Sequence, residues 1–473
     1  MRQQKGSKKP NVLLINPSSQ ERVYLNTNVK VGAPSHPPLG LAAIAAPLVQ
    51  KGYGVKVVDM DLPGMTLAEL QGAVRDYTPS YVGITGTTPL YSEMVNLSQL
   101  VKDTDNSTTV VVGGVHASVL PEEFTSLDSV DIVVYGEGDF SLVDVLSGKP
   151  LEEVRGIYYK SDGAVIQNEP REQVQDLDAL PYPAWDLFDL SRYEASYLAA
   201  RKNPVGPLET SRGCVFGCTF CNKNIFGRAF RVKSVGRVVG EMEYMLKVGF
   251  KEIHIQDDGF STNLERAKEI CDEIISRRLR FPWSLFNGVR VDRVDLELMQ
   301  KLKKAGCYQI AFGFESGNQE VLNAANKGTT LDQARQAVEM AQAAGLWTFG
   351  FFMLGLPGDT EETMQETIDF AVELDLDLAK FDITIPYPGT LLYDTWKAKG
   401  YIKTEDWSQY LCHDYDVQIY EHPNVDWQSL QSYYRKAYRT YYLRPKFFLK
   451  RFKKDLRSGD LMRDIVSFLK TRW

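Results

Sequence analysis

The chain has 473 residues, of which 44% are hydrophobic and 24% charged, with a formal net charge of −7. That length exceeds one ordinary core and predicts two domains with a smaller appendage. Sparse cysteine, no apolar stretch after the opening "MRQQKGSKKP", and no run near the roughly 18 apolar residues of a spanning helix argue against a disulfide framework, a secretory leader and a membrane span. A reducing, cytoplasmic setting is expected.

Residues 1–150 repeat short β-rich runs, "NVLLIN", "YGVKVVDMD", "YVGITGTT", "TVVVGG" and "DIVVYGEGD", separated by helical patterns such as "LAELQGAVRDYT". Near-continuous apolar strands alternating with helices predict a parallel sheet covered on both faces, a doubly wound Rossmann-like α/β domain. Ligands of such sheets lie beyond the carboxyl ends of the strands. Those ends carry Asn16, Pro17, Thr85, Thr87, Gly113, Gly114, His116, Gly136, Glu137 and Gly138. Each glycine alone also fits a tight turn with no ligand.

Residues 151–203 read as a hairpin turning at Asp162 and Gly163, followed by the proline- and aromatic-rich linker "LDALPYPAWDLFDLSRY". A second βα series occupies 204–400, with strands "PLETSRG", "EIHIQDDG", "PWSLFNGVR", "YQIAFGFES", "WTFGFFMLG" and "AKFDITIPYPG". Six units are two short of a closed TIM barrel, so an open, partial (βα)6 barrel is predicted, with function at the carboxyl ends of its strands. Residues 401–473 are predicted to form a helical extension.

Half of the six cysteines, Cys214, Cys218 and Cys221, crowd into the loop after the first barrel strand. Zinc would require a fourth ligand, and Cys412 with His413 is the one outside candidate. Three soft thiolates without a fourth favour a four-iron cluster with one iron left open. Cys271 and Cys307 read as packing residues, and Cys412 as the one further thiol to test for chemistry.

The segment "CVFGCTFC" resembles the CxxxCxxC signature of the radical S-adenosylmethionine superfamily. That resemblance implies a [4Fe-4S] cluster on Cys214, Cys218 and Cys221, whose open iron is chelated by S-adenosylmethionine. Reductive cleavage of the sulfonium then gives a 5′-deoxyadenosyl radical that abstracts hydrogen from an unactivated carbon. By the same resemblance Glu315 in "GFES", Asp257 and Asp258 in "QDDGF", Arg290 in "NGVRVD", Gly355 and Pro357 in "MLGLPGDT", and Phe220 are expected to contact S-adenosylmethionine. Each acidic residue taken alone also fits a helix cap.

A doubly wound domain ahead of such a barrel is similar to the cobalamin-binding class of the superfamily, whose recurrent segments stand here as "HPPLGLAAIAAPLVQKGYGVKVVD", "GGVHASVLPEE" and "YGEGD". The resemblance implies cobalamin lying flat on the sheet ends at Thr85, Thr87, Gly113, Gly114, His116, Gly136, Glu137 and Gly138. No DxHxxG segment occurs, so His116 is expected to shape the pocket rather than to ligate cobalt.

From Leu443 onward ten Lys or Arg stand against three Asp, so the remainder of the chain carries about −14. With Phe447, Phe448, Leu449 and Phe452 among the basic residues, the segment fits peripheral contact with an anionic membrane, and equally a helical cap packed on the barrel. Nucleic acid is not expected as a partner, because the acidic remainder would repel phosphates. A "YYLRP" segment resembles members related to the anaerobic cyclase of chlorophyll synthesis and to lipid-modifying enzymes, implying a hydrophobic, lipid- or tetrapyrrole-like substrate. The reaction expected is radical methyl transfer from methylcobalamin to a substrate carbon. The alternative is radical cyclisation, ring contraction or carbon–carbon coupling without methyl transfer, with or without cobalamin. A flavodoxin or ferredoxin type electron donor is implied.

Overall fold

The computed structural model describes residues 9–19, 23, 36–196, 199–411 and 415–450. Cys412 and His413, and the tail from residue 451 with Phe452, lie outside the described residues. The chain divides into two compact units, one built mainly on Ser35–Glu194 with the first strand, the other on Ala195–Asn222 and the chain from Arg228.

In the first unit, β1 (Asn11–Asn16), β2 (Gly54–Asp59), β3 (Tyr81–Thr85), β4 (Thr109–Gly113) and β5 (Ile132–Val134) form a parallel sheet in the order β2-β1-β3-β4-β5. Leu13, Ile15, Val82, Val110 and Val112 are fully or almost fully buried, because helices cover both faces. These helices are α1 (Leu39–Gln50), α2 (Leu67–Tyr77), α3 (Tyr91–Thr104), α4 (Val115–Val119), α5 (Pro121–Thr125) and α6 (Gly138–Leu146). A capping box between Thr66 and Glu69 starts α2. The predicted hairpin forms as β6 (Ile157–Ser161) and β7 (Ala164–Gln167). Its turn residues Asp162 and Gly163 have φ of 50 and 78, and β6 pairs antiparallel with β5, extending the sheet to seven strands. The linker folds onto this unit: the Tyr193 hydroxyl donates to Asp59 at 2.8 Å.

The second unit carries the predicted six-stranded parallel sheet, in the order β15-β14-β13-β12-β11-β8. The strands are β8 (Val205–Leu208), β11 (Glu252–Ile255), β12 (Trp283–Val289), β13 (Cys307–Glu315), β14 (Trp347–Leu354) and β15 (Leu378–Ile383). Two short strands, β9 (Ser211–Arg212) and β10 (Arg231–Val232), pair antiparallel across the cysteine loop. The helices are α7 (Val235–Val248), α8 (Leu264–Ser276), α9 (Leu296–Lys304), α10 (Gln319–Ala324), α11 (Leu331–Ala343), α12 (Glu361–Leu374), α13 (Leu391–Ala398) and α14 (Trp427–Tyr442). Cys271 and Cys307 are buried, as packing residues should be, and burial pushes the Cys307 thiol up to about 12.

Alternation along β14 divides the two faces of this sheet. Thr348, Gly350, Phe352 and Leu354 are buried, and Phe352 stacks on Phe314 at 5.3 Å and on Phe381 at 5.2 Å, beneath α12 and α14. Trp347, Phe349, Phe351 and Met353 point the other way and are only partly buried.

An open barrel leaves an edge strand with unpaired backbone groups. Here three tyrosines cover β15. Tyr438 accepts from the Phe381 N–H and donates to its carbonyl, Tyr442 does the same for Ala379, and Tyr415 accepts from the Ile383 N–H. The spacing i, i+4 on α14 puts Tyr438 and Tyr442 on one helical face, over alternate residues of the strand. Beyond α14, Arg444, Lys446 and Lys450 gather on Asp375, while Phe448 and Leu449 are 42% and 62% exposed. Among the described residues the extension therefore caps the barrel. No described helix is long and apolar enough to cross a membrane.

Candidate functional site

Cys214, Cys218 and Cys221 lie on the loop between β9 and β10, the first two partly exposed and Cys221 exposed, none of them in a disulfide. The loop is tied to the barrel by backbone and side-chain bonds. Thr219 donates from its N–H and its hydroxyl to the Ala325 carbonyl, the Leu392 N–H donates to the Thr219 carbonyl, and the Asn326 amide donates to Gly217 O at 2.9 Å. Phe220 packs with Val321, Ala325, Leu356 and Met353. Among the described residues no three His, Cys, Asp or Glu side chains converge at metal-binding separation, so the loop supplies thiol donors without a preformed trigonal site.

Glu315 ends β13 at φ 67, a left-handed conformation that costs a non-glycine residue about 1–2 kcal/mol. Its carboxylate accepts from Lys327 Nζ at 2.7 Å, with the two side chains only 10% and 7% exposed. Arg290, just after β12, pairs with Asp292 at 2.9 Å, stacks 3.6 Å over the Phe216 ring, and leaves Nη1 buried with no hydrogen-bond partner. At the end of β11, Asp257 is buried and accepts from the Thr210 N–H and from the Thr210 and Ser211 hydroxyls. Burial pushes its carboxyl up against those bonds. Asp258 beside it is exposed.

After β14, Gly355 at φ 81 opens a turn closed by Asp359, whose Oδ2 accepts from the Gly355 and Leu356 N–H groups at 2.8 Å each. Pro357 sits partly exposed at the crest of this turn. Burial pushes the Asp359 carboxyl up to about 6.

In the first unit the order β2-β1-β3-β4-β5 reverses between β1 and β3, the place where doubly wound sheets open a crevice at their strand ends. Thr85, Thr87, Gly113 and Gly114 stand there, with Gly136, Glu137 and Gly138 at the neighbouring end of β5. A Cβ on Gly114 would meet Thr85 Oγ1 at 2.5 Å, whereas Gly136, at φ 72, has nothing within 4 Å. Glu137 is turned inward and accepts from the Val174 N–H. His116 is fully buried, its Nδ1 3.2 Å from the Thr88 hydroxyl and its Nε2 3.2 Å from Glu123. Both ring nitrogens are thus committed to protein.

Residues 208–371 match the Radical SAM superfamily and residues 26–146 match the B12 binding domain. An uncharacterised methyltransferase of Pyrococcus horikoshii is 33% identical over 446 residues, 93% of this chain and 94% of that one. The chain belongs to the cobalamin-dependent radical S-adenosylmethionine methyltransferase family. The anaerobic magnesium-protoporphyrin IX monomethyl ester cyclase of Rubrivivax gelatinosus is 27% identical over 449 residues, 92% of this chain and 79% of that one. The cobalamin-dependent S-adenosylmethionine radical enzyme OxsB shares the fold, with a TM-score of 0.74 at 20% identity, over 98% of this chain and 72% of that one.

As a radical S-adenosylmethionine enzyme the chain uses a [4Fe-4S] cluster and S-adenosylmethionine on the barrel, with cobalamin on the B12-binding domain. Its residues fit these groups. The loop offers three soft donors, the unpartnered Arg290 Nη1 offers a cationic donor to a carboxylate, and Gly136 faces open space at the strand end. Lys327 and Asn326 did not stand out in the sequence, because they follow a short helix rather than a strand. Their one signal is the "NKG" turn, which puts polar residues and a left-handed glycine beside "GFES" in space.

Proposed function

We propose that this enzyme transfers a methyl group to a carbon of an apolar substrate after hydrogen abstraction. Methyl transfer rests on the likeness, over nearly its whole length, to the Pyrococcus methyltransferase. The apolar substrate rests on the inner barrel face, where Phe286 and Phe349 lie 5.9 Å apart and Phe349 and Phe351 4.7 Å apart, all only partly buried. Phenylalanines left uncovered on an inner face offer apolar surface to a ligand and exclude water from it. Beside them on β15, in register with Phe351 and Met353, stand Lys380 and Asp382, an ion pair at 3.0 Å that would read one polar group of the substrate.

When bound, the cluster and S-adenosylmethionine supply the one-electron chemistry that activates the substrate carbon, and cobalamin supplies the methyl group. In this reading Cys214, Cys218 and Cys221 hold the cluster. Arg290 and Glu315 orient the charged end of S-adenosylmethionine, Gly355 and Pro357 border its adenine, and Phe220 packs behind the cluster loop. Asp257 acts from behind, fixing Thr210 and Ser211, and Asp258 beside it, exposed at the strand end, is the carboxylate placed toward the cofactor. Thr85, Thr87, Gly113, Gly114, Gly136 and Gly138 line the cobalamin face, with His116 and Glu137 bracing it. A low-potential flavodoxin or ferredoxin delivers the electron in the cytoplasm, and the basic, aromatic C-terminal segment brings the enzyme to lipid-held substrate.

The experiment is anaerobic incubation of the reconstituted enzyme with methyl-trideuterated S-adenosylmethionine and a lipid extract of the host cells. A product carrying the deuterated methyl supports methyl transfer. An unlabelled product that has lost hydrogens supports cyclisation instead, the reading favoured by the likeness to the Rubrivivax cyclase.

A further inference from the structure

Four consecutive residues, Ala325 to Gly328, together hold three parts of the cofactor site. The Ala325 carbonyl accepts from Thr219 in the cysteine loop, and the Asn326 amide donates to the Gly217 carbonyl in the same loop. Lys327 pairs with Glu315, and the Gly328 carbonyl accepts from Arg290 at 3.4 Å. The cluster loop and the charged S-adenosylmethionine contacts are therefore referenced to one turn. Its geometry is built in, with Asn326 at φ 52 and Gly328 at φ 67. Gly217 is matched to it, since a Cβ there would stand 2.5 Å from Asn326 Nδ2.

We infer that Asn326 is a positioning residue: its amide clamps the Gly217 carbonyl and so sets the distance between the cluster and the Glu315–Lys327 and Arg290 groups. The inference rests on the reading of this site as the cluster and S-adenosylmethionine site. Asn326 touches neither group itself. Its effect is on how well S-adenosylmethionine spans from the open iron to the side chains that hold its charged end. Asparagine suits the place because it tolerates the left-handed backbone while its amide still donates.

The test uses the full-length, anaerobically reconstituted protein and follows the electron paramagnetic resonance signal of the reduced cluster as S-adenosylmethionine is titrated. Asn326→Gly keeps the turn conformation and removes only the amide. It is expected to retain the parent's iron and sulfide content while weakening the S-adenosylmethionine-dependent signal change about fivefold, the worth of one hydrogen bond. Gly217→Ala, which drives a methyl into the amide, is expected to weaken it at least as much. In the double variant Gly217→Ala/Asn326→Gly the clash with the amide is gone and the new methyl meets only the flexible end of Arg228, at 3.1 Å, so the loss should not exceed that of Asn326→Gly alone. Additive losses in the double variant, or an Asn326→Gly titration equal to the parent's, would overturn the inference. A parent signal that does not respond to S-adenosylmethionine would overturn the reading of the site itself, and with it the inference.

Discussion

Lys327 Nζ stands 2.7 Å from Glu315 Oε1, and both side chains are buried at the end of the fourth barrel strand. Breaking such a pair from one side leaves a charge without compensation, which costs about 3–5 kcal/mol. Lys327→Met and Glu315→Gln are each expected to lower stability by at least about 3 kcal/mol in urea denaturation. The double variant should lose less than the sum, because no lone charge remains. Additive losses would mean that the two groups are not coupled.

Asp359 gives the turn after β14 a pH dependence with a defined sign. Its carboxyl is raised to about 6 by burial, so the folded chain holds a proton that the unfolded chain releases near the ordinary carboxylate value. The contribution is fully present below about pH 4 and is lost as pH rises through about 6, a change of about 3 kcal/mol. Asp359→Asn should flatten the slope of urea stability between pH 4 and 7. An unchanged slope would place the titration elsewhere.

Removing the Tyr438 hydroxyl uncovers both backbone groups of Phe381 on the edge strand. Tyr438→Phe should cost about 1–3 kcal/mol and increase light scattering on heating, since the freed edge is a template for pairing with another chain. Tyr442→Phe should behave alike at Ala379. Stability and scattering equal to the parent's would show that solvent replaces the phenol at no cost.

Much of this architecture is legible in the residues because burial on both faces writes a strand as a nearly continuous apolar run. "NVLLIN" and "YQIAFGFE" are read that way, and Asp162–Gly163 announces its own turn through residues that accept positive φ. What escapes is whatever depends on a distant partner. The addition of the hairpin to β5, the tyrosines over β15 and the bond from Asn326 to Gly217 all involve backbone groups, which carry no residue-specific mark. Asp257 illustrates the same limit from the other side. Its place at a strand end is visible in the sequence, but its commitment to Thr210 and Ser211 is not.

Cys218→Ala is expected to prevent cluster assembly and all cleavage of S-adenosylmethionine, measured as iron content and 5′-deoxyadenosine release. With two thiolates, two of the four irons would have no protein ligand. Substantial 5′-deoxyadenosine from this variant would remove the cysteine loop from the mechanism.

The most direct test of the account is metal analysis with an ultraviolet–visible spectrum of protein produced anaerobically with iron, sulfide and hydroxocobalamin. The account predicts about four irons and one cobalt per chain, a [4Fe-4S] cluster on the cysteine loop and a cobalamin on the doubly wound domain. Four irons with no cobalt would contradict it, leaving a radical enzyme whose first unit serves some other ligand.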